Sequence, residues 1–288
     1  MDLPHILIML AIYVLLVGAL NIVLGYGGMI SLCQAVFYGI GAYTTAILTT
    51  WLGWPPLLAM LFSGVVVLLF AGVLGTVSMH FRGDRFVLLT ISLQVIVSAV
   101  MLNWTDMTGG TNGIPGIPVP NLFGWALSTK WEQAGFAITI AILGVLLLLR
   151  IHHSPYQRAL SALRDDQLAA QSLGKPPNYF RYSALLTSGL LSATAGSLYA
   201  LTMTFIDPTS FTIDESVFIL TALAIGGSGN VKGPVVGAAV AVLLPEALRL
   251  LEIGGGSAAN VRQILYGFTL ILMMRFRPKG MAGNYDFS

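Results

Sequence analysis

Long apolar runs, repeated from one end of the chain to the other, constrain its fold more than any other feature. About nine can be marked, at residues 5–24, 29–50, 55–79, 86–102, 133–149, 181–203, 214–229, 233–250 and 262–276. A helix needs roughly 20 apolar residues to cross the hydrocarbon core, and in lipid only helices and closed barrels satisfy their own backbone polar groups. Strict apolar–polar alternation is scarce in these runs, which argues for helices. The expected fold class is therefore all-α: a polytopic integral membrane protein with about nine (8–10) transmembrane or re-entrant helices, in one domain over residues 1–288. Charged residues are only 9% of the chain, against about 25% in soluble domains. Spans and short connections use nearly all of the length, leaving no room for a soluble catalytic domain. The first run lacks lysine, arginine and a small-x-small cleavage site, and reads as a first span.

The charges that do occur are concentrated. Residues 150–182 carry Arg150, Arg158, Arg164, Asp165, Asp166, Lys175 and Arg181, between apolar runs on both sides. Local signals make this stretch a helix over about 155–174. Ser154 is suited to N-cap it, Pro155 to occupy the first turn and Gln157 to complete a capping box. Gly174 followed by Lys175-Pro176-Pro177 stops it. Ala159, Leu160, Leu163, Ala170 and Leu173 give it an apolar flank, while Arg164, Asp165 and Asp166 are expected to face water. Such a helix is either a surface for a soluble partner or a solvated loop, and composition alone leaves both open.

Basic loops stay cytoplasmic. With 150–182 inside, Arg82, Arg85, Lys232, Arg275, Arg277 and Lys279 also fall inside, and Lys130, Arg249 and Arg262 outside. Asp106, Glu132, Asp207, Asp214 and Glu215 then lie outside. The C-terminus is expected in the cytoplasm and the N-terminus outside the cell, although a re-entrant segment 29–50 would reverse the latter. Residues 103–132, rich in Gly, Pro, Asn and Thr, form the one long external connection and are expected to make an ordered cap. Trp104, Trp125 and Trp131 would anchor it at the interface.

Two runs are interrupted by glycine, at 25–43 (GYGGMISLCQAVFYGIGAY) and 224–241 (AIGGSGNVKGPVVGAAVA). Glycine costs about 1 kcal/mol inside a helix, so each cluster needs a reason: close helix packing, or a broken helix whose free backbone meets a polar solute. On the second reading Gly27, Gly28, Gly226, Gly227 and Gly229 border a translocation path, with Gln34 and Gln94 as its polar groups. The likeness of the two clusters hints at an internal repeat.

Other chemistry is missing. The sole cysteine, Cys33, excludes an internal disulfide and a thiolate metal site. His152 and His153 are adjacent, so on a helix they diverge, and no metal site is expected. GSGNVKG lacks the phosphate-loop order. Glu246 and Arg249, three apart, are expected to pair. A net charge of +2 does not suggest nucleic acid. Without an acidic relay in the spans, ion-driven transport is disfavoured, leaving an external energy source or a passive pore.

Six segments together resemble the membrane permeases of branched-chain amino acid ABC importers, of the M type. They are GYGGMISLCQAVFYGIGAY, FRGDRFVLLTISLQ (81–94), NWTDMTGGTNGIPGIP (103–118), the stretch 154–200, GGSGNVKGPVVGAAVAVLLPEALR (226–249) and YGFTLILMMRFRPKG (266–280). The chain departs from that pattern at Arg85, and at Gln167, where relatives carry an acid. The resemblance implies that residues 158–174 are a coupling helix, with Arg158, Arg164, Asp165, Asp166, Gln167, Ala170, Leu173 and Gly174 toward an ATPase. It also implies an H-type permease partner, two ATPase subunits that hold ATP and Mg, an extracytoplasmic binding protein and a bacterial inner-membrane location. The chain itself would need no cofactor and catalyse nothing. Urea, short amides or another small neutral solute stay open as cargo, as does a passive channel.

Overall fold

The computed structural model describes residues 3–81, 83–122, 125–250 and 281–282. The run at 262–276, the tail from Arg275 apart from Met281 and Ala282, and the side chains of Trp125 and Arg249 lie outside the described residues. Helix α1 (Leu3–Leu20) continues through a π-helical turn, Asn21–Tyr26, and is followed by α2 (Gln34–Thr50), α3 (Pro56–Ser78) and α4 (Asp84–Asn103). After the short α5 (Thr105–Thr108) come α6 (Lys130–His152), α7 (Pro155–Asp165), α8 (Gln167–Ser172) and α9 (Pro177–Met203). The last two described helices are α10 (Ile213–Gly226) and α11 (Lys232–Leu250). Eight of the expected runs are thus helical, and the protein is an all-α polytopic membrane protein.

Among the described residues, five helices are long and apolar enough to cross a membrane: α1 with its π turn, α3, α4, α6 and α9. Two are too short. At 1.5 Å per residue, α2 spans about 26 Å and α10 about 21 Å, less than the roughly 30 Å core. The run 29–50, whose crossing the sequence left open, is helical only from Gln34. Two glycines precede this stretch, and Gly28 has φ +64°, a left-handed backbone that only glycine adopts readily.

Helix α9 is central, packing on α1, α2 and α3. Its small residues allow backbones to touch, as is usual where lipid supplies no hydrophobic drive. A Cβ on Gly196 would collide with the Tyr38 carbonyl of α2, and one on Gly41 would meet the Ala193 backbone. Hydroxyls join α2, α3 and α9: Thr45 donates to Ser197 at 2.8 Å, and Ser63 lies 2.7 Å from Ser197. Outward faces are apolar, including Leu61 and Leu69 of α3, Leu88 and Ile96 of α4, and Leu143 of α6. Such surfaces suit acyl chains.

The 103–132 connection is ordered where described, as expected. Strand β1 (Ile114–Pro115) pairs antiparallel with β4 (Phe205–Ile206), and β2 (Asn121–Leu122) with β3 (Trp125–Ala126). These pairs are the only strands among the described residues. Trp104 and Trp131 are exposed at this end of the bundle.

Candidate coupling surface and mid-depth site

Helices α7 and α8 cover the end of the bundle opposite the β pairs. Ser154 caps α7, its hydroxyl accepting from the Gln157 amide at 3.4 Å, with Pro155 in the first turn. The capping box is only half formed, because the Gln157 side chain donates to Ser161 at 3.0 Å instead. The expected single rod over 155–174 is broken at Asp166. That residue takes extended backbone (φ −148°, ψ 106°), and its carboxylate accepts from Leu168 and Ala169 at 2.9 and 3.0 Å. An aspartate able to cap a new helix competes with continuation of the old one. Gly174, at φ +74°, ends α8, and Lys175 N–H returns to the Ala170 carbonyl.

The apolar flank divides. Ala159, Leu160, Leu163 and Ala170 are buried against the bundle, whereas Leu168 and Leu173 are each 79% exposed. Tyr156 holds α7 to α9 through a 2.9 Å bond with Ser183, and burial raises its phenol above the ordinary value, so it stays neutral. Asp165 and Asp166 face outward as expected, and Arg158 is exposed as well. Gln167 accepts from Arg181 of α9 at 3.2 Å. Arg164 does not face water. Its side chain is only 13% exposed, and Nη1 donates to the Gly25 carbonyl at 2.6 Å while Nε donates to Asp165 at 2.9 Å. A cation at the C-terminal end of a helix meets carbonyls without intrahelical donors, which explains the inward turn.

A second polar layer lies at mid-depth, where α2 and α10 both begin and from which they run in opposite directions. The Ala35 amide donates to Ser216 at 3.0 Å, and Ser216 donates to Gln94 at 3.1 Å. Gln94 donates to the Phe211 carbonyl at 2.8 Å. Gln34 donates to Ser188 and Ser192 of α9. Both glutamines are buried inside the subunit: Gln34, the first residue of α2, is bonded to the middle of α9, and Gln94 is bonded to the start of α10. Glu215 requires a correction. It was expected outside, but it lies in the first turn of α10 and accepts from Tyr13 of α1 at 2.8 Å. Tyr13 is near the middle of the first span, so the spans do contain an acid. The N-termini of α2 and α10 converge here.

The glycines serve different ends. Gly28, with Met29 and Ile30, walls a cavity completed by Ser78, Phe86 and Arg181. Gly27 lies tight against the Val23 carbonyl. Gly226 packs on Gly233 and Gly237 of α11, while Gly227 (φ +94°) and Gly229 (φ +89°) turn the chain between α10 and α11. Packing and helix breaking are both present.

His152 and His153 stack edge to face, and among the described residues no group of three potential metal ligands occurs. Sequence reasoning marked Gly25 only as one of a glycine cluster and missed Tyr13, Asn21 and Leu168. Of these three, Asn21 alone carried a usable signal, as an amide inside an apolar run.

A family model described as "Branched-chain amino acid transport system / permease component" matches residues 3–274. The chain is 31% identical over 95% of its length to the high-affinity branched-chain amino acid transport system permease protein LivM of Salmonella typhimurium, covering 68% of that protein. It is 24% identical over 92% of its length to a probable LivM of Methanocaldococcus jannaschii, covering 82% of it. A nucleoside ABC transporter permease, NupC of Lactococcus lactis, is 26% identical over 90% of this chain and 87% of its own.

Proposed function

Since the chain belongs to the branched-chain amino acid transport system permease family, we propose that it is the membrane subunit of an ATP-driven importer of branched-chain or related neutral amino acids. The observation that carries the reading is the α7–α8 hairpin. Two capped helices are bolted to the bundle on one face and hold Leu168 and Leu173 out on the other. An apolar pair exposed beside Arg158, Asp165 and Asp166 is what a soluble ATPase would bury. A passive channel has no use for such a surface.

ATP and Mg bind on the ATPase subunits in this reading, two of which work with this chain, an H-type permease paralogue and an extracytoplasmic binding protein. The α7–α8 end is cytoplasmic, the β pairs face the outside, and the membrane is the bacterial inner membrane. The solute passes the interrupted segments at Gly27, Gly28, Gly226, Gly227 and Gly229. Gln34 and Gln94 hold the starts of the two half-helices at mid-depth rather than touching solute. A zwitterion or neutral molecule fits, because no lysine or arginine sits at mid-span in the sequence.

The test is reconstitution. The chain with its partners should accumulate labelled leucine in proteoliposomes only with ATP, and the chain alone should conduct nothing. Leu168→Asp with Leu173→Asp should weaken ATPase binding about tenfold or more, without changing the melting temperature of this subunit. Unaltered ATPase binding would leave the hairpin a passive loop.

A further inference from the structure

Elements far apart in sequence meet on the π-helical turn Asn21–Tyr26. From one side α7 reaches it through Arg164, whose guanidinium donates to Gly25 O at 2.6 Å. The Arg164 stem lies flush on Gly28, where any Cβ would collide with it. Asp165 accepts from Arg164 Nε and so fixes the plane of the guanidinium. From the other side, Asn21 uses both ends of its amide. It donates to Asn230 O at 2.8 Å and accepts from Gly229 N at 3.0 Å, holding the turn that ends α10. The same π turn leads directly into residues 27–33 and α2. Both half-helices that start at mid-depth are therefore tied to one turn, and α7 grips that turn with one side chain.

We infer that Arg164 is a positioning residue, a strut that carries movement of α7 to α2 and α10 together, and not a contact to the ATPase. The inference rests on the reading of α7–α8 as the ATPase-facing surface. Arginine suits the task because its flat, permanently charged fork donates in fixed directions from a stem stiffened by packing. A π turn suits it as well, since such turns interrupt the regular helical ladder and recur at functional sites.

The experiment compares uptake with ATP hydrolysis on the same proteoliposomes, using the whole complex. Arg164→Met keeps an apolar stem over Gly28 and removes every donor. Uptake per ATP hydrolysed should fall about tenfold, while the ATPase subunits still copurify in wild-type ratio. Arg164→Lys, with one donor group restored, should recover part of the ratio. Should the Arg164→Met subunit itself fail to fold, Asn21→Asp tests the other side of the same turn by the same ratio, because it keeps the acceptor for Gly229 but loses the donor to Asn230. An unchanged uptake-to-ATP ratio overturns the strut. So does loss of the ATPase subunits with Arg164→Met, which would make Arg164 a docking contact. If the wild-type complex shows no ATP-driven uptake, the importer reading fails instead, so the two failures are distinguishable.

Discussion

At the scale of residues, the Tyr13–Glu215 pair places an acid inside the bundle. An acid at mid-depth is expensive in a membrane protein and persists only where partners offset its lost hydration. Here those partners are the Tyr13 hydroxyl and the N-terminal end of α10. Tyr13→Phe should destabilise the detergent-solubilised protein by about 1–3 kcal/mol, the cost of leaving a buried acceptor short of a donor. Glu215→Gln, whose carbonyl still accepts from Tyr13, should cost less. Denaturant unfolding of the two variants checks this, and the reverse order would mean that the pair contributes little. Glu215 was illegible as a buried acid because Asp207-Pro208-Thr209-Ser210 reads as surface turn chemistry. Nothing local reveals that this turn dips to the depth of Gln94.

Among the elements, the break between α7 and α8 matters most. Asp166 supplies a cap, and a cap is worth about 1 kcal/mol. Asp166→Asn should keep α8 and its exposed leucines in place, with near-wild-type uptake. Asp166→Ala should let α8 fray and reduce ATPase copurification, although both changes remove the same charge. Matching losses in the two variants would assign Asp166 to charge pairing instead. The ends of the coupling stretch were legible, since Ser154, Pro155 and Gly174 act through their own backbone neighbours. The break was not, because Arg164-Asp165-Asp166-Gln167 reads equally well as a continuous polar helix face. The inward turn of Arg164 depends on Gly25, which lies 139 residues away.

For the whole molecule, the testable property is orientation. Cys33 is the sole native thiol and is buried, so introduced cysteines report without background. A cysteine replacing Asn112, on the β-pair end, should react with an impermeant reagent in intact cells. One replacing Lys175, at the α8–α9 turn, should react only after the cells are opened. The opposite pattern would invert the bundle and put the α7–α8 hairpin out of reach of any cytoplasmic ATPase.

The sequence by itself determined the class of solvent, the number and order of the described apolar helices, the cap on α7 and the stop after α8. These follow from hydropathy, length and turn chemistry, which act over a few residues. The six family segments carried the rest of what was legible, including the position of the coupling stretch. Tertiary structure alone decided that α2 and α10 are half-helices starting opposite each other. The same is true of Gln34 and Gln94 being consumed by internal bonds, of Glu215 facing Tyr13 and of Arg164 gripping the turn after α1. Each of these rests on a hydrogen bond between groups more than a hundred residues apart, and its partner exists only once the chain has packed.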